Sequence, residues 1–228
     1  MRIVSWNCAR GPLEKKLLAL DSLSPDLVVL SESPPPKEET ANVLWFPSGV
    51  SRLGVQVITY GPYSLGRLPA ADLPSCVNPV RVDGPVPFNL LATWTWPAPT
   101  YVKAFLNALD AYENLMASGP MVIAGDFNGN PTHDKPGQRV KWTDAFARLE
   151  KNGLVSAYHH AKGVAFGKEP DPTHRYKRDP SRPFHIDYCF VPSAWAQLGC
   201  NVQVAAGMPW DQLSDHSPVV VEMLSVSS

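Results

Sequence analysis

The sequence has no apolar run of the roughly 18 residues that would mark a membrane-crossing helix. It is poor in cysteine. Cys8, Cys76, Cys189 and Cys200 are scattered, form no CxxC pair and do not cluster with histidine. That usage fits neither a zinc site nor a disulfide framework, and reduced, mostly buried thiols are expected. There is no internal repeat, heptad pattern or low-complexity tract, which excludes solenoids, coiled coils and fibrous chains. A net excess of one charge sign is also missing, with 20 Lys and Arg against 21 Asp and Glu. The opening MRIVSWNCARG meets Asn, Cys and Arg too soon for a secretory signal, so a cytoplasmic protein is expected. Proline, by contrast, is plentiful. The 24 prolines concentrate at 33–36, 62–87 and 169–183, stretches that read as loops because proline removes a backbone donor.

At 228 residues and 44% hydrophobic, the chain fits one domain spanning 1–228 with a substantial core. Short runs rich in Val, Ile and aromatics, bounded by Gly, Pro, Asp or Ser, predict strands. They lie at Arg2–Trp6, Asp26–Leu30, Val43–Phe46, Gly54–Tyr60, Phe88–Thr95, Met121–Asp126, His185–Val191, Asn201–Ala205 and Pro218–Leu224. Helices are predicted at Leu13–Leu23, Val102–Met116 and Trp142–Lys151. In the second, Phe105, Leu106, Leu109, Tyr112 and Leu115 recur at three- and four-residue spacing and give one apolar face. Many strands with few helices favour an α/β class of two packed sheets flanked by helices. A single doubly wound sheet would need more regular helices between its strands.

Five polar groups of residues interrupt the strand pattern, each at the end of a hydrophobic run or opening one. They are SWNC with Asn7, LSES with Glu32, GDFNGN with Asp126 and Asn128, HIDY with Asp187, and SDHS with Asp215 and His216. Singly, each has a plain explanation: Asp, Asn and Gly favour tight turns, and a glutamate at a strand end is often just solvated. Together, seven acid, amide and imidazole groups at strand termini point to one rim of a sheet structure.

RIVSWNC, DLVVLSES, MVIAGDFNGNP, FHIDYCFVP and LSDHSPVVV together resemble the endonuclease/exonuclease/phosphatase family of metal-dependent phosphoesterases. The resemblance runs from residue 2 to about residue 221. It implies a four-layer α/β sandwich of two mixed, largely antiparallel sheets with helices outside. It also implies roles for the matched residues. Glu32 corresponds to the principal ligand of Mg2+ (or Mn2+), with Asn7 and Asp215 in the metal and phosphate environment; hard oxygen donors suit such cations. Asp126 orients or deprotonates the attacking water, and Asn128 hydrogen-bonds the phosphate or the nucleophile from the same face of an extended segment. His216, paired with Asp187, stabilises phosphate oxygens as charge builds.

One departure from the family pattern matters most. Where relatives carry His or Tyr at the end of the strand matching LLATWTW, this chain has Trp94, whose indole donates a hydrogen bond but cannot shuttle a proton. A catalytically lost phosphate-binding relative is therefore one alternative; His185, where relatives commonly carry Arg before the IDY motif, is a lesser departure, and the other matched positions are intact. Charge distribution points to the substrate. Between Lys135 and Arg182 stand 11 Lys and Arg against five acids, a local net of +6. Within it, PTHRYKRDPSR interleaves His174, Arg175 and Tyr176 with further cations, an arrangement able to stack a base and hold phosphates. The plain reading of that stretch is a solvated loop. The expectation is a monomeric phosphodiesterase acting on nucleic acid, DNA foremost, with Trp94, His174, Arg175 and Tyr176 contacting it. A phosphatase of a small metabolite or lipid headgroup is the alternative substrate reading.

Overall fold

A computed structural model describes residues 1–49, 51–73 and 77–224. The expectation for Cys76 lies outside the described residues. In chain order, β1 (Arg2–Asn7) leads to α1 (Glu14–Asp21), β2 (Leu27–Ser33), β3 (Val43–Pro47), β4 (Gly54–Thr59), β5 (Ser64–Arg67), β6 (Val77–Asp83) and β7 (Phe88–Trp94). Then come α2 (Tyr101–Ala111), α3 (Glu113–Ala117), β8 (Met121–Asp126), α4 (Trp142–Lys151), β9 (Leu154–Ser156) and α5 (Ala157–Lys162). The chain finishes with β10 (His174–Arg175), β11 (Pro183–Phe184), β12 (Asp187–Pro192), α6 (Ser193–Gln197), β13 (Cys200–Val204), α7 (Trp210–Leu213) and β14 (Val219–Met223).

Two six-stranded sheets result, in the orders β13-β14-β1-β2-β4-β3 and β5-β6-β7-β8-β12-β9. Each has one parallel pair, β1 with β2 and β7 with β8, among antiparallel neighbours. Side-chain alternation sorts the layers. On β1, Ile3 faces the other sheet while Val4 and Trp6 pack toward α1 and α7. On β8, Val122 and Ala124 join the same inter-sheet core, and Met121 and Ile123 face α2 and α4. The product is the expected four-layer α/β sandwich, and the doubly wound alternative is excluded by the second sheet.

Three local expectations need correction. The proline-rich 62–87 stretch is not all loop, because it holds β5 and β6. Pro79 is tolerated inside β6 because it lies past the end of β5, whose ladder starts at the Arg67–Val80 pair. The predicted helix 102–116 breaks at the buried Tyr112 into α2 and α3. The 169–183 loop contains the small β10–β11 ribbon. Cys8 and Cys189 are buried free thiols, and Cys200 is half-buried.

Candidate active site

The strand directions bring the polar interruptions to one end of the two sheets. Asn7 ends β1, and Glu32 lies near the end of the parallel β2, at a register shift where its φ is +56°. Asp126 ends β8, and Asp187 begins the antiparallel β12 directly opposite it. Asp215 and His216 precede β14, which runs antiparallel to β1. Two bonds fasten that last loop to β1: the Trp6 indole donates to the His216 carbonyl at 2.9 Å, and the Ser214 hydroxyl to the Asn7 carbonyl at 2.8 Å.

The GDFN turn owes its shape to close approach. At Gly125, φ is +146°, and a Cβ would lie 1.8 Å from the Thr93 carbonyl oxygen on β7, so only glycine fits. Asn128 is not on an extended segment as expected. Its φ is +51°, and it folds back so that its backbone N–H donates to Asp126 Oδ1 at 2.8 Å and its side-chain amide to Oδ2 at 3.1 Å. It reaches Asp126 through a turn rather than through strand periodicity.

Asn7 joins the two halves. Its Nδ2 donates to Asp126 Oδ2 at 2.9 Å and to Glu32 Oε1 at 3.2 Å, while its Oδ1 accepts the Ala9 N–H at 3.0 Å. An amide nitrogen between two carboxylates makes Asn7 a spacer between them, while its oxygen is held by the Ala9 N–H. Asp187 Oδ2 pairs with His216 Nδ1 at 2.8 Å, both side chains being buried. Thr173 positions this aspartate, its hydroxyl accepting the backbone N–H groups of Ile186 and Asp187.

Burial and charge set the protonation states. Burial pushes the Asp126 carboxyl up and Asp187 adds to it; His216, Asn7 and Asn128 only partly offset this, and the value reaches about 7. Burial by itself would lower His216, but Asp187, Asp126 and Asp215 outweigh it and hold the imidazole up at about 9. Asp215 is drawn down to about 2, chiefly by His174 against the opposing effect of burial.

The hard oxygen donors fit a divalent cation. Ligand atoms of Asp126, Asp187 and His216 lie within 4.8 Å of one another. Asp187 Oδ1 is buried with no hydrogen-bond donor among the described residues. A second nearby carboxylate whose charge is disfavoured is what an added cation would relieve. A charged His216 has no lone pair to offer, so within this cluster the imidazole acts as a donor rather than a ligand.

His174 and His216 form an isolated cross-strand bridge, and their rings stack at 4.2 Å. His174 Nε2 is 3.8 Å from Asp215 Oδ2. Arg175 donates to the Ser217 hydroxyl at 3.1 Å, and its backbone N–H to the Asp215 carbonyl at 2.9 Å. A cavity of about 200 Å³ opens here, lined by Arg175, Arg178, Pro180, Asp211, Ser214 and Asp215. The exposed Tyr176 ring carries Arg182 at 4.2 Å and Lys177 at 5.5 Å from its centre. So His174, Arg175 and Tyr176 border the site.

Trp94 does not. Only 4% exposed, it packs in the inter-sheet core and edge-to-face on Trp96, 4.8 Å away, which corrects its expected contact with substrate. His185, beside Asp187, is taken up by the Asp171 carbonyl at 2.8 Å and by the Tyr158 ring. Sequence reasoning missed Thr173, Ser214 and Ser217. The hydroxyls on either side of Asp215-His216 were a signal for the last two.

Comparison with known proteins follows the same lines. The model of the Endonuclease/Exonuclease/phosphatase family matches residues 4–216. No curated protein matches the sequence. Among solved structures, the chain is similar to a 3' phosphatase, NExo, from Neisseria bound to product DNA hairpin, at 19% identity and a TM-score of 0.70, covering 99% of this chain and 100% of that one. It is similar to the AP endonuclease LMAP from Leishmania major at 17% identity and a TM-score of 0.68, covering 96% and 86%. The endonuclease domain of TRAS1, a telomere-specific non-LTR retrotransposon, gives 16% identity and a TM-score of 0.65, covering 96% of each chain.

Proposed function

This chain belongs to the Endonuclease/Exonuclease/phosphatase family, and from that premise we propose that it is a divalent-metal-dependent phosphodiesterase acting on DNA. One observation carries the reading: a continuous hydrogen-bonded chain, Glu32–Asn7–Asp126–Asn128, facing the buried Asp187–His216 pair across the β8–β12 register. Burying polar groups costs stability where they are left unpaired, as Asp187 Oδ1 is, and such a cost is typical of a working site.

Glu32 and Asp215, the less buried carboxylates, would hold Mg2+ or Mn2+. Bound there, the ion would offset charge on the phosphate and on the leaving oxygen. Asp126, whose pKa lies near neutrality, takes the proton of the attacking water as the oxygen–phosphorus bond forms, and Asn128 fixes its direction. His216 donates to a non-bridging oxygen, and Asp187 keeps the ring charged. The bond to the leaving oxygen then breaks, and that oxygen takes a proton from solvent. His174, Arg175 and Tyr176 hold the neighbouring phosphate and sugar or base.

The small cavity beside Asp215 favours a second reading, a phosphatase of a terminal or small phosphate ester, because about 200 Å³ suits one phosphate group better than a duplex groove. Plasmid nicking, cleavage of an internally labelled oligonucleotide and phosphate release from small esters, with Mg2+ or Mn2+, separate the two. Wild type is expected to cleave the oligonucleotide, and Glu32→Ala and His216→Ala to lose that cleavage. Equal activity in both variants would overturn the assignment. Release of phosphate from small esters without any nicking would shift it to the second reading.

A further inference from the structure

Lys16 sits in the first turn of α1, where a cation opposes the helix dipole, and it is 5% exposed among helix neighbours that face water. A buried ammonium needs all three of its protons satisfied. Here three successive carbonyls do this: Cys8, Ala9 at 2.8 Å and Arg10 at 2.9 Å. The lysine thus closes the turn that leaves β1. That turn is strained, because Ala9 holds a φ of +43° with a side chain present. The Ala9 N–H, in turn, is the group that holds Asn7 Oδ1. With the oxygen so fixed, the other end of the same carboxamide has one direction left, toward Glu32 and Asp126.

We infer that Lys16 is a positioning residue for the active site, clamping the Cys8–Arg10 turn in the left-handed form that aims the Asn7 carboxamide between Glu32 and Asp126. The inference rests on the proposed phosphodiesterase reading for its effect on rate, but not for its effect on Asn7. Burial lowers the Lys16 ammonium from its usual pKa, while Glu32 and Asp215, within electrostatic reach, favour its charged form. Removing it releases the turn that holds the Ala9 N–H on the Asn7 oxygen, and so loosens the aim of the amide nitrogen.

The test has two independent readouts on the full chain. In protein labelled with 15N at asparagine, the Asn7 side-chain amide, assigned with Asn7→Ala, is expected to exchange slowly in wild type and to lose its hydrogen-bonded shift in Lys16→Met. In the oligonucleotide assay, Lys16→Met is expected to lower kcat about 10- to 100-fold while KM stays within about twofold, the scale on which supporting groups around metal ligands act. Lys16→Met added to Asn7→Ala should then cost nothing further, since both remove the same arrangement. Lys16→Arg keeps charge and donors and is expected to restore part of kcat; Lys16→Gln, which removes the charge and keeps a polar end, replaces Lys16→Met wherever the latter does not fold. An Asn7 signal unchanged by Lys16→Met would overturn the inference, as would losses that multiply in the double variant. If wild type cleaves no phosphodiester, the proposed function fails, while the Asn7 signal still decides the role of Lys16.

Discussion

Among the described residues, two carboxylate–imidazole pairs have largely buried side chains, and they differ in what surrounds them. In Glu169–His159, 3.0 Å apart, the acid is also bound by Asn130 at 2.8 Å, while His159 Nδ1 meets the Ser156 hydroxyl at 2.7 Å. Asn130 is itself tied to Tyr188 and to the His185 carbonyl. In Asp187–His216, 2.8 Å apart, one aspartate oxygen has no donor among the described residues, and a third ionisable group, Asp126, lies close by. In the first pair both partners are hydrogen-bonded again by neighbouring side chains, so it stabilises the loops around α5. The second is open and electrostatically unbalanced, which is the condition for acting on a ligand.

The sharpest break in that comparison comes from matched amide substitutions. Asp187→Asn is expected to lower kcat by on the order of 10²–10³-fold, because the imidazole loses the charge that keeps it a strong donor. Glu169→Gln is expected to leave kcat within about threefold under the same oligonucleotide assay. Comparable losses in both variants would erase the distinction between the pairs.

A second difference lies in pH dependence. Asp126, raised to about 7, must be ionised to accept a proton, so activity is expected to rise with pH through that value. His216, raised to about 9, must stay charged, so activity is expected to fall as pH passes it. The profile of kcat/KM is therefore a bell with limbs near those values. In Asp187→Asn the alkaline limb should move to lower pH. Raising the metal concentration should move the acid limb downward, since added positive charge favours the carboxylate.

The smaller effect falls on stability. Burial raises the Glu169 carboxyl, yet hydrogen bonds from His159, from the backbone N–H groups of Gly167 and Glu169 and from Asn130 outweigh it and hold it at about 2. A depressed carboxylate contributes stability above its unfolded value of 4.5 and loses it as pH falls toward about 2. Glu169→Gln is thus expected to cost about 1–3 kcal/mol at neutral pH. Urea unfolding should show the gap to wild type closing across that acid window. A gap that stays constant with pH would show that Glu169 acts through shape rather than charge.

The two regions were not equally legible in the amino-acid sequence. Asn7, Glu32, Asp126, Asp187 and His216 stand out because each breaks a strand pattern at its end, and parallel and antiparallel pairing brings those ends together. Asn130, His159 and Glu169 sit in turns and a short helix, where a polar residue is ordinary, so nothing marks their meeting. Trp94 misled because the family's polar residue at that strand end lies at the site, whereas the indole here turns into the inter-sheet core. Lys16 reads as a solvated helix charge; only the turn after β1 reveals the three carbonyls around it. The short β5 and β6 were masked by proline, whose position at the unpaired end of a ladder is a tertiary fact.

The account stands on the rim carboxylates holding a divalent ion beside a charged His216. Calorimetric titration of Mn2+ into wild type and Glu32→Gln tests this most directly. Saturable binding in wild type, weakened about tenfold or more in Glu32→Gln with its thermal stability retained, is the expected result. Superimposable isotherms for the two proteins would contradict it.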